Sequence, residues 1–233
     1  MLFLCSNAVV SAEEKLCSYA EYFQLYQDAD RPEQEIFIKA CDYDKIISNN
    51  KNQISVSDYQ NKKNSLVWNA PDGSISYSVN VPKSGVYCLN FSYFPIPSNT
   101  TAIEFSILID GQIPYDTASR ATLNKIYVNH GEIQTDAKGS QIRPSQVQQG
   151  LWLNTPLMDV DGLTDTPLLF YLEKGKHEIM FDIVKGWFAL EYFKFYTPAP
   201  VPDYTAYQNS PFSSSQRREI SLSVRILLPP EDL

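Results

Sequence analysis

Histidine is nearly absent from this chain, with only His130 and His177 in 233 residues, and the four cysteines lie scattered at Cys5, Cys17, Cys41 and Cys88. So few ligands form no CxxC pair and no Cys/His grouping at zinc spacing, which excludes a dense disulfide framework and leaves room for one disulfide. Positive charge is short as well: 19 Lys and Arg stand against 27 Asp and Glu, a net charge of −8. That balance repels a phosphate backbone, and no local basic cluster reverses it, so nucleic acid is not an expected partner. No apolar run is long enough for a membrane span. The glycine-rich phosphate loop and the Gly-x-Ser-x-Gly elbow are also missing. Acidic residues are too common for a carboxylate pair to be read as a hydrolase motif. The expectation is a non-enzymatic protein with no cofactor and no metal site.

What the chain has in excess is aromatic side chains: 15 Tyr, 12 Phe and 3 Trp. These residues suit pleated, half-buried strands, and from about residue 73 onward the apolar period is two. Ile75, Tyr77, Val79 and Val81 alternate with Ser76, Ser78 and Asn80. Pro82-Lys83-Ser84-Gly85 then supplies a turn, and Tyr87, Leu89, Phe91 and Tyr93 form the inward face of the return strand. Ile103, Phe105, Ile107 and Ile109 lead into the hairpin signal Asp110-Gly111. Leu168-Phe170-Leu172 precedes a Glu-Lys-Gly-Lys turn and the strand His177-Ile179-Phe181-Ile183. Residues 187–196 are apolar on both faces, as an interior strand would be. Strands with short turns and little helix predict an all-β fold, a two-sheet antiparallel jelly-roll-like sandwich.

One helix is expected within residues 13–30. Leu16, Tyr19, Phe23 and Tyr26 recur at helical spacing, and Ser18 with Glu21 fits a capping box that starts the helix near Tyr19. Arg31-Pro32 stops it. Before it, Met1–Cys5 is apolar and Val10-Ser11-Ala12 is a small-residue cleavage pattern without a basic n-region. Residues 1–12 are therefore expected to be a signal-peptide remnant, the alternative being a bare hydrophobic N-terminus. The sandwich with its helix is expected over 13–196. Residues 197–233 read as a proline-rich linker and a poorly ordered tail.

The order of several segments resembles the N-terminal module of the large extracellular solute-binding proteins of ABC-type sugar importers. The carrying residues are Ser18-Tyr19-Ala20-Glu21-Tyr22, Arg31–Ile38, Val79-Asn80-Val81-Pro82-Lys83-Ser84-Gly85-Val86-Tyr87, Ile109–Tyr115, Ile142–Gln146 before Trp152, and Phe170–His177. The resemblance implies a galactose-binding-domain-like, carbohydrate-binding sandwich, secreted or held at the cell surface, with importer components and an oligo- or polysaccharide as partners. The two-lobed solute-binding domain of those proteins is not expected within these residues, so transport itself is not implied for them. Such sandwiches often hold calcium through acids in an Ile-Glu-Ala-Glu-Asp-Tyr run. The matching run here is Ile38-Lys39-Ala40-Cys41-Asp42-Tyr43. Lysine and cysteine replace both glutamates, and calcium wants hard oxygen ligands.

Residues 130–165 break the strand rhythm and read as long polar loops with one short strand, the first place to look for a site. A sugar ring needs an aromatic platform under its C–H face and fixed polar groups around its hydroxyls. Trp152 with Arg143, Gln146 and Asn154 supplies those types within a short stretch. The competing reading makes Trp152 a plug at one end of the sandwich and pairs Arg143 with an acid. Trp187 reads as core and Trp68 as a rim residue. Asp159-Val160-Asp161-Gly162 reads as a turn with solvated acids, and His177 as a strand-entry residue. Two functions stay open: glycan capture, or a structural and protein-interaction module that positions a neighbouring domain.

Overall fold

The computed structural model describes residues 16–162 and 164–198. Helix α1 (Tyr19–Tyr26) precedes β1 (Ile36–Lys39), β2 (Lys45–Ile47), β3 (Ile54–Tyr59), β4 (Lys62–Trp68), β5 (Gly73–Val81), β6 (Gly85–Ile96), β7 (Ala102–Ile109) and β8 (Ala121–Asn124). Four short strands follow: β9 (Tyr127–Asn129), β10 (Gln134–Thr135), β11 (Gln141–Ile142) and β12 (Gln146–Gln148). The last four are β13 (Leu153–Pro156), β14 (Leu169–Leu172), β15 (Gly175–Lys185) and β16 (Trp187–Tyr196). The signal-like start and the tail from residue 199 lie outside the described residues.

Two antiparallel sheets form, as the alternation predicts. The larger runs β13-β6-β16-β4-β3, with β14 also on β6 and β1 also on β16; the smaller runs β2-β5-β15-β7-β8. Aromatic side chains join them. Phe91 on β6 meets Phe105 and Phe181 of the other sheet at 5.7 and 5.6 Å, and Phe193 on β16 meets Phe181 at 5.0 Å and Tyr77 at 4.9 Å. These are tilted or edge-on contacts, the arrangement ring quadrupoles favour. Residues 187–196 do form an interior strand, between β6 and β4. A register shift between Leu190 and Tyr192 keeps Phe188, Leu190, Phe193 and Phe195 all in the core.

The capping box is as predicted: Glu21 N donates to Ser18 Oγ, and Ser18 N donates to Glu21 Oε2 at 2.8 Å. The helix itself is only eight residues, and its buried face differs from the expected one. Leu16 precedes it and is exposed, and Phe23 is exposed as well, while Tyr19 and Tyr22 are buried and Tyr26 stacks on Tyr171 at 4.3 Å. Hydroxyls explain the choice. Tyr19 OH accepts from Leu169 N at 3.2 Å and Tyr22 OH from Tyr171 N at 2.7 Å. Both donors belong to β14, an edge strand whose outward N–H groups would otherwise lack a ladder partner. Apolar rings without hydroxyls cannot replace them.

The stretch expected to be long loops with one short strand holds four short strands. β9 pairs with β12 and β10 with β11, so residues 126–149 form a hairpin arm. Pairing continues between these ladders, where His130 N donates to Ser145 O at 2.7 Å. At the tip, Asp136 Oδ1 accepts from Lys138 N and Ser140 N at 2.9 and 2.8 Å. Polar composition hid this arm from a reading based on apolar alternation, because a ribbon that buries neither face needs no alternation.

Two tryptophans exchange their expected places. Trp68 is 0% exposed and stacks on Phe188, whereas Trp187 is 40% exposed. Truncating a buried ring removes transfer energy and leaves a cavity, so Trp68→Ala should cost about 3–5 kcal/mol. Trp187→Ala should cost about 1 kcal/mol or less, as surface substitutions do. Urea unfolding of both variants checks this; a larger loss for Trp187→Ala would return that ring to the core.

His177 ties two turns together. Its Nδ1 is 2.6 Å from Asp110 Oδ2 and its Nε2 is 2.8 Å from Glu173 O, while Glu178 N donates to Asp110 Oδ1 at 2.8 Å. Partial burial alone would depress the imidazole's pKa, but the Asp110 hydrogen bond, the Glu173 carbonyl and the Asp110 charge outweigh it, and the net shift is upward. For Asp110, burial pushes upward and is outweighed by the Glu178 amide and by His177, so its net shift is downward. A raised histidine stabilises fully below its unfolded value of about 6.5, and the gain fades as pH rises through the folded value. The lowered carboxyl stabilises above about 3.9, and that gain fades as pH falls through its folded value. The melting-temperature gap between wild type and His177→Gln should therefore be widest near about pH 5.5 and shrink toward about pH 8.5. A gap that widens with pH would show that His177 is held neutral.

Candidate functional site

The four residues singled out from sequence do not form one cluster. Arg143 and Gln146 belong to the arm, Trp152 and Asn154 to the outer side of the larger sheet. Arg143 lines a shallow hollow with His130, Glu132, Gln134 and Ser145, and among the described residues it forms no ion pair. Gln146 Nε2 lies 3.5 Å from Asn129 Oδ1, across the ribbon. Asn154 sits beside Ser92 in the ladder and donates from Nδ2 to Tyr192 OH at 3.1 Å. The arm's foot is fixed where Gln148 Nε2 donates to Pro95 O at 2.6 Å. Arg143 stands five residues beyond that foot along the chain, and the hollow it lines does not include Trp152.

Trp152 is half-buried and its polar atom is engaged. Its Nε1 donates to Gln60 O at 3.0 Å, and its ring meets Phe94 edge-on at 5.8 Å. Gln60 and Asn61 have φ of 43° and 69°, the signs of a two-residue I′ turn between β3 and β4. Tyr59, just before that turn, lies 5.3 Å from Phe94 in a T-shaped contact, and Lys62, just after it, pairs with Glu191 at 3.0 Å. The hairpin turn thus leans over the outer face, and Trp152 fastens it together with Phe94, Val67 and Ala189. This is a clasping role within the fold.

Among the three tryptophans the exposed one is Trp187. It follows Gly186, whose φ of +98° is a conformation that side-chain-bearing residues rarely adopt. A Cβ at Gly186 would also lie 2.8 Å from Ile103 Cα and 2.9 Å from Ala102 O, so glycine is required twice over. The sharp link between β15 and β16 leaves Trp187 as the strand's first residue, at the end of the sandwich. There a groove of about 470 Å³ is lined by Pro71, Pro97, Ser98, Asn99, Thr100, Lys185 and Trp187. Its loop is fixed from behind by Lys125, which is buried and donates to Ser98 Oγ and Thr100 O, both at 2.8 Å. Burial lowers the Lys125 pKa, and the two oxygens take the place of solvent. Lys185 pairs with Glu104 at 2.7 Å. The groove combines the exposed Trp187 indole and two prolines with hydroxyl, amide and ammonium groups. Sequence reasoning missed it because 187–196 is apolar at most positions on both faces. The usable signal was Gly186 immediately before the tryptophan.

The calcium pattern implied by resemblance does not fit the residues present. Lys39 is exposed opposite Tyr192 on β16, and Cys41 Sγ donates to Asp42 Oδ1 at 3.4 Å. Neither offers an oxygen ligand. The Asp159–Gly162 segment is a turn, with Asp161 N donating to Asp159 Oδ1 at 3.1 Å, but Asp159 is buried and not solvated as expected. Cys17, Cys41 and Cys88 are free thiols, and burial pushes Cys88 up to about 12.

No family model matches the sequence, and no curated protein matches it. Among solved structures, a family 35 carbohydrate-binding module from Clostridium thermocellum aligns with a TM-score of 0.42 at 17% identity, over 71% of this chain and 99% of that one. The CBM35 from Cellvibrio japonicus Abf62 gives 0.42 at 9% identity, over 71% of this chain and 95% of that one. The C-terminal CBM6 of LamC from Zobellia galactanivorans gives 0.41 at 12% identity, over 70% and 100%. These scores are too low to transfer a site or a ligand. The sandwich rests on its own strand pairing and on the rings packed between its sheets.

Proposed function

We propose that the chain is a non-catalytic, extracellular carbohydrate-binding module serving sugar capture or uptake, with its ligand seated against Trp187. One observation carries this reading: a tryptophan left 40% exposed at a groove whose other walls combine two prolines with hydroxyl, amide and ammonium groups. A sugar ring presents an apolar C–H face to such an indole and its hydroxyls to Ser98, Asn99, Thr100 and Lys185. Lys125 holds the 97–100 loop in place, so little ordering entropy opposes binding. The four residues first read from sequence give a second position for the same function, at Trp152 and Asn154 on the outer face, with Arg143 and Gln146 reached only by a longer glycan.

Affinity should be modest, because hydrogen bonds exchanged against water and one stacked ring leave only a small surplus. On a glycan array followed by titration calorimetry, the wild type should bind an oligosaccharide, and Trp187→Ala should weaken it by about tenfold or more, a loss of about 1.4 kcal/mol. Its circular dichroism should stay unchanged. If Trp152→Ala removes binding while Trp187→Ala does not, the ligand sits on the outer face. Failure of the wild type to bind any glycan would sink the reading altogether.

A further inference from the structure

The hairpin arm is unlike the rest of the molecule. Ile126, Tyr127, Val128, Ile133, Ile142 and Val147 are all exposed along it. Val128 and Val147 are direct partners in the ladder and so share a face, and Ile126, two residues before Val128, falls on that same face. The ties to the sandwich lie at the foot, through Gln148 to Pro95 and Lys125 to Ser98 and Thr100. An isolated two-stranded ribbon is marginal in water unless a face is covered or a strand is added. Among the described residues, both outer edges of this ribbon are open in the sheet pairing.

Charge identifies what covers it. The chain carries −8, yet within the arm Glu132 and Asp136 are matched by Lys138 and Arg143. The arm is thus charge-balanced in a chain that carries −8, and two arms meet without net repulsion between them. Glu132 stands on the outgoing half and Arg143 on the returning half, with Asp136 and Lys138 on either side of the tip. Laying two arms side by side in parallel, about a two-fold axis along their length, sets the outgoing strand of each against the returning strand of the other, so that acids meet bases and the valine faces meet. A self-complementary patch of this kind is what a symmetric dimer requires.

We propose that residues 126–149 are a self-association element through which two copies of the chain pair. The contact is small, so the dimer forms in the micromolar range.

Sedimentation velocity of the full chain over a concentration series reads this directly. The wild type should pass from monomer to dimer, and Val128→Ser with Val147→Ser should raise the midpoint by about tenfold or more, equivalent to about 1.4 kcal/mol. Should that variant fail to fold, charge exchange decides. A copy with Glu132→Lys and Asp136→Lys, and another with Lys138→Glu and Arg143→Glu, should each associate more weakly alone and recover when mixed. A wild type that stays monomeric at about 100 μM, well above that range, overturns the proposal. So does a dimer indifferent to both variants, or mixed copies that do not recover. A monomer whose glycan affinity falls with Arg143→Ala would assign the arm to ligand binding instead, which also overturns self-association.

Discussion

The contact on which the rest depends is the cluster of Phe91, Phe105, Phe181 and Phe193 between the two sheets. Each ring sits at the middle of a long strand, and each meets rings of the opposite sheet at centroid distances of 5.0 to 5.7 Å. Burial of these faces supplies the gain that offsets ordering so many strands. Phe105 and Phe181 fix the inward face of β7 and β15, and a one-residue slip would turn that entire set outward. The cluster therefore sets register as well as cohesion. The loops at the sandwich end, including the one that presents Trp187, inherit their positions from that register.

Much of this was legible in the chain because one face of each central strand is buried. Ile75, Tyr77, Val79 and Val81 alternate with polar residues, and the structure buries all four. The hairpin at Asp110-Gly111 was readable from turn chemistry, with both φ values positive at 51° and 79°. Where both faces share one character, alternation carries no signal. That is why the arm passed for loop and why Trp187 passed for core. Both errors come from treating hydrophobic content as a statement about depth. Trp187 is exposed because strand β16 begins with it, and the end of a strand is set by the glycine before it.

The candidate site was less legible than the fold for a related reason. Proximity in sequence places Trp152, Arg143, Gln146 and Asn154 within twelve positions, but a ribbon and a sheet edge intervene. The groove at Trp187 draws instead on three separate links, around Pro71, around Ser98 and at Gly186, and only strand pairing brings these together. Its buried lysine comes from a fourth, Lys125 beyond β8. A site assembled from connections between strands is fixed by topology, which no single stretch of sequence records.

The tyrosine hydroxyls of α1 have a further consequence for behaviour outside the native state. They occupy the outward N–H groups of β14 with partners that unwinding of this eight-residue helix would remove. With the helix lifted, an apolar strand of Leu169, Phe170, Tyr171 and Leu172 stands open at a sheet margin, ready to template another chain. Helix α1 is in that sense a removable guard. Its docking keeps that sheet margin closed to other chains while Tyr19 and Tyr22 join the core.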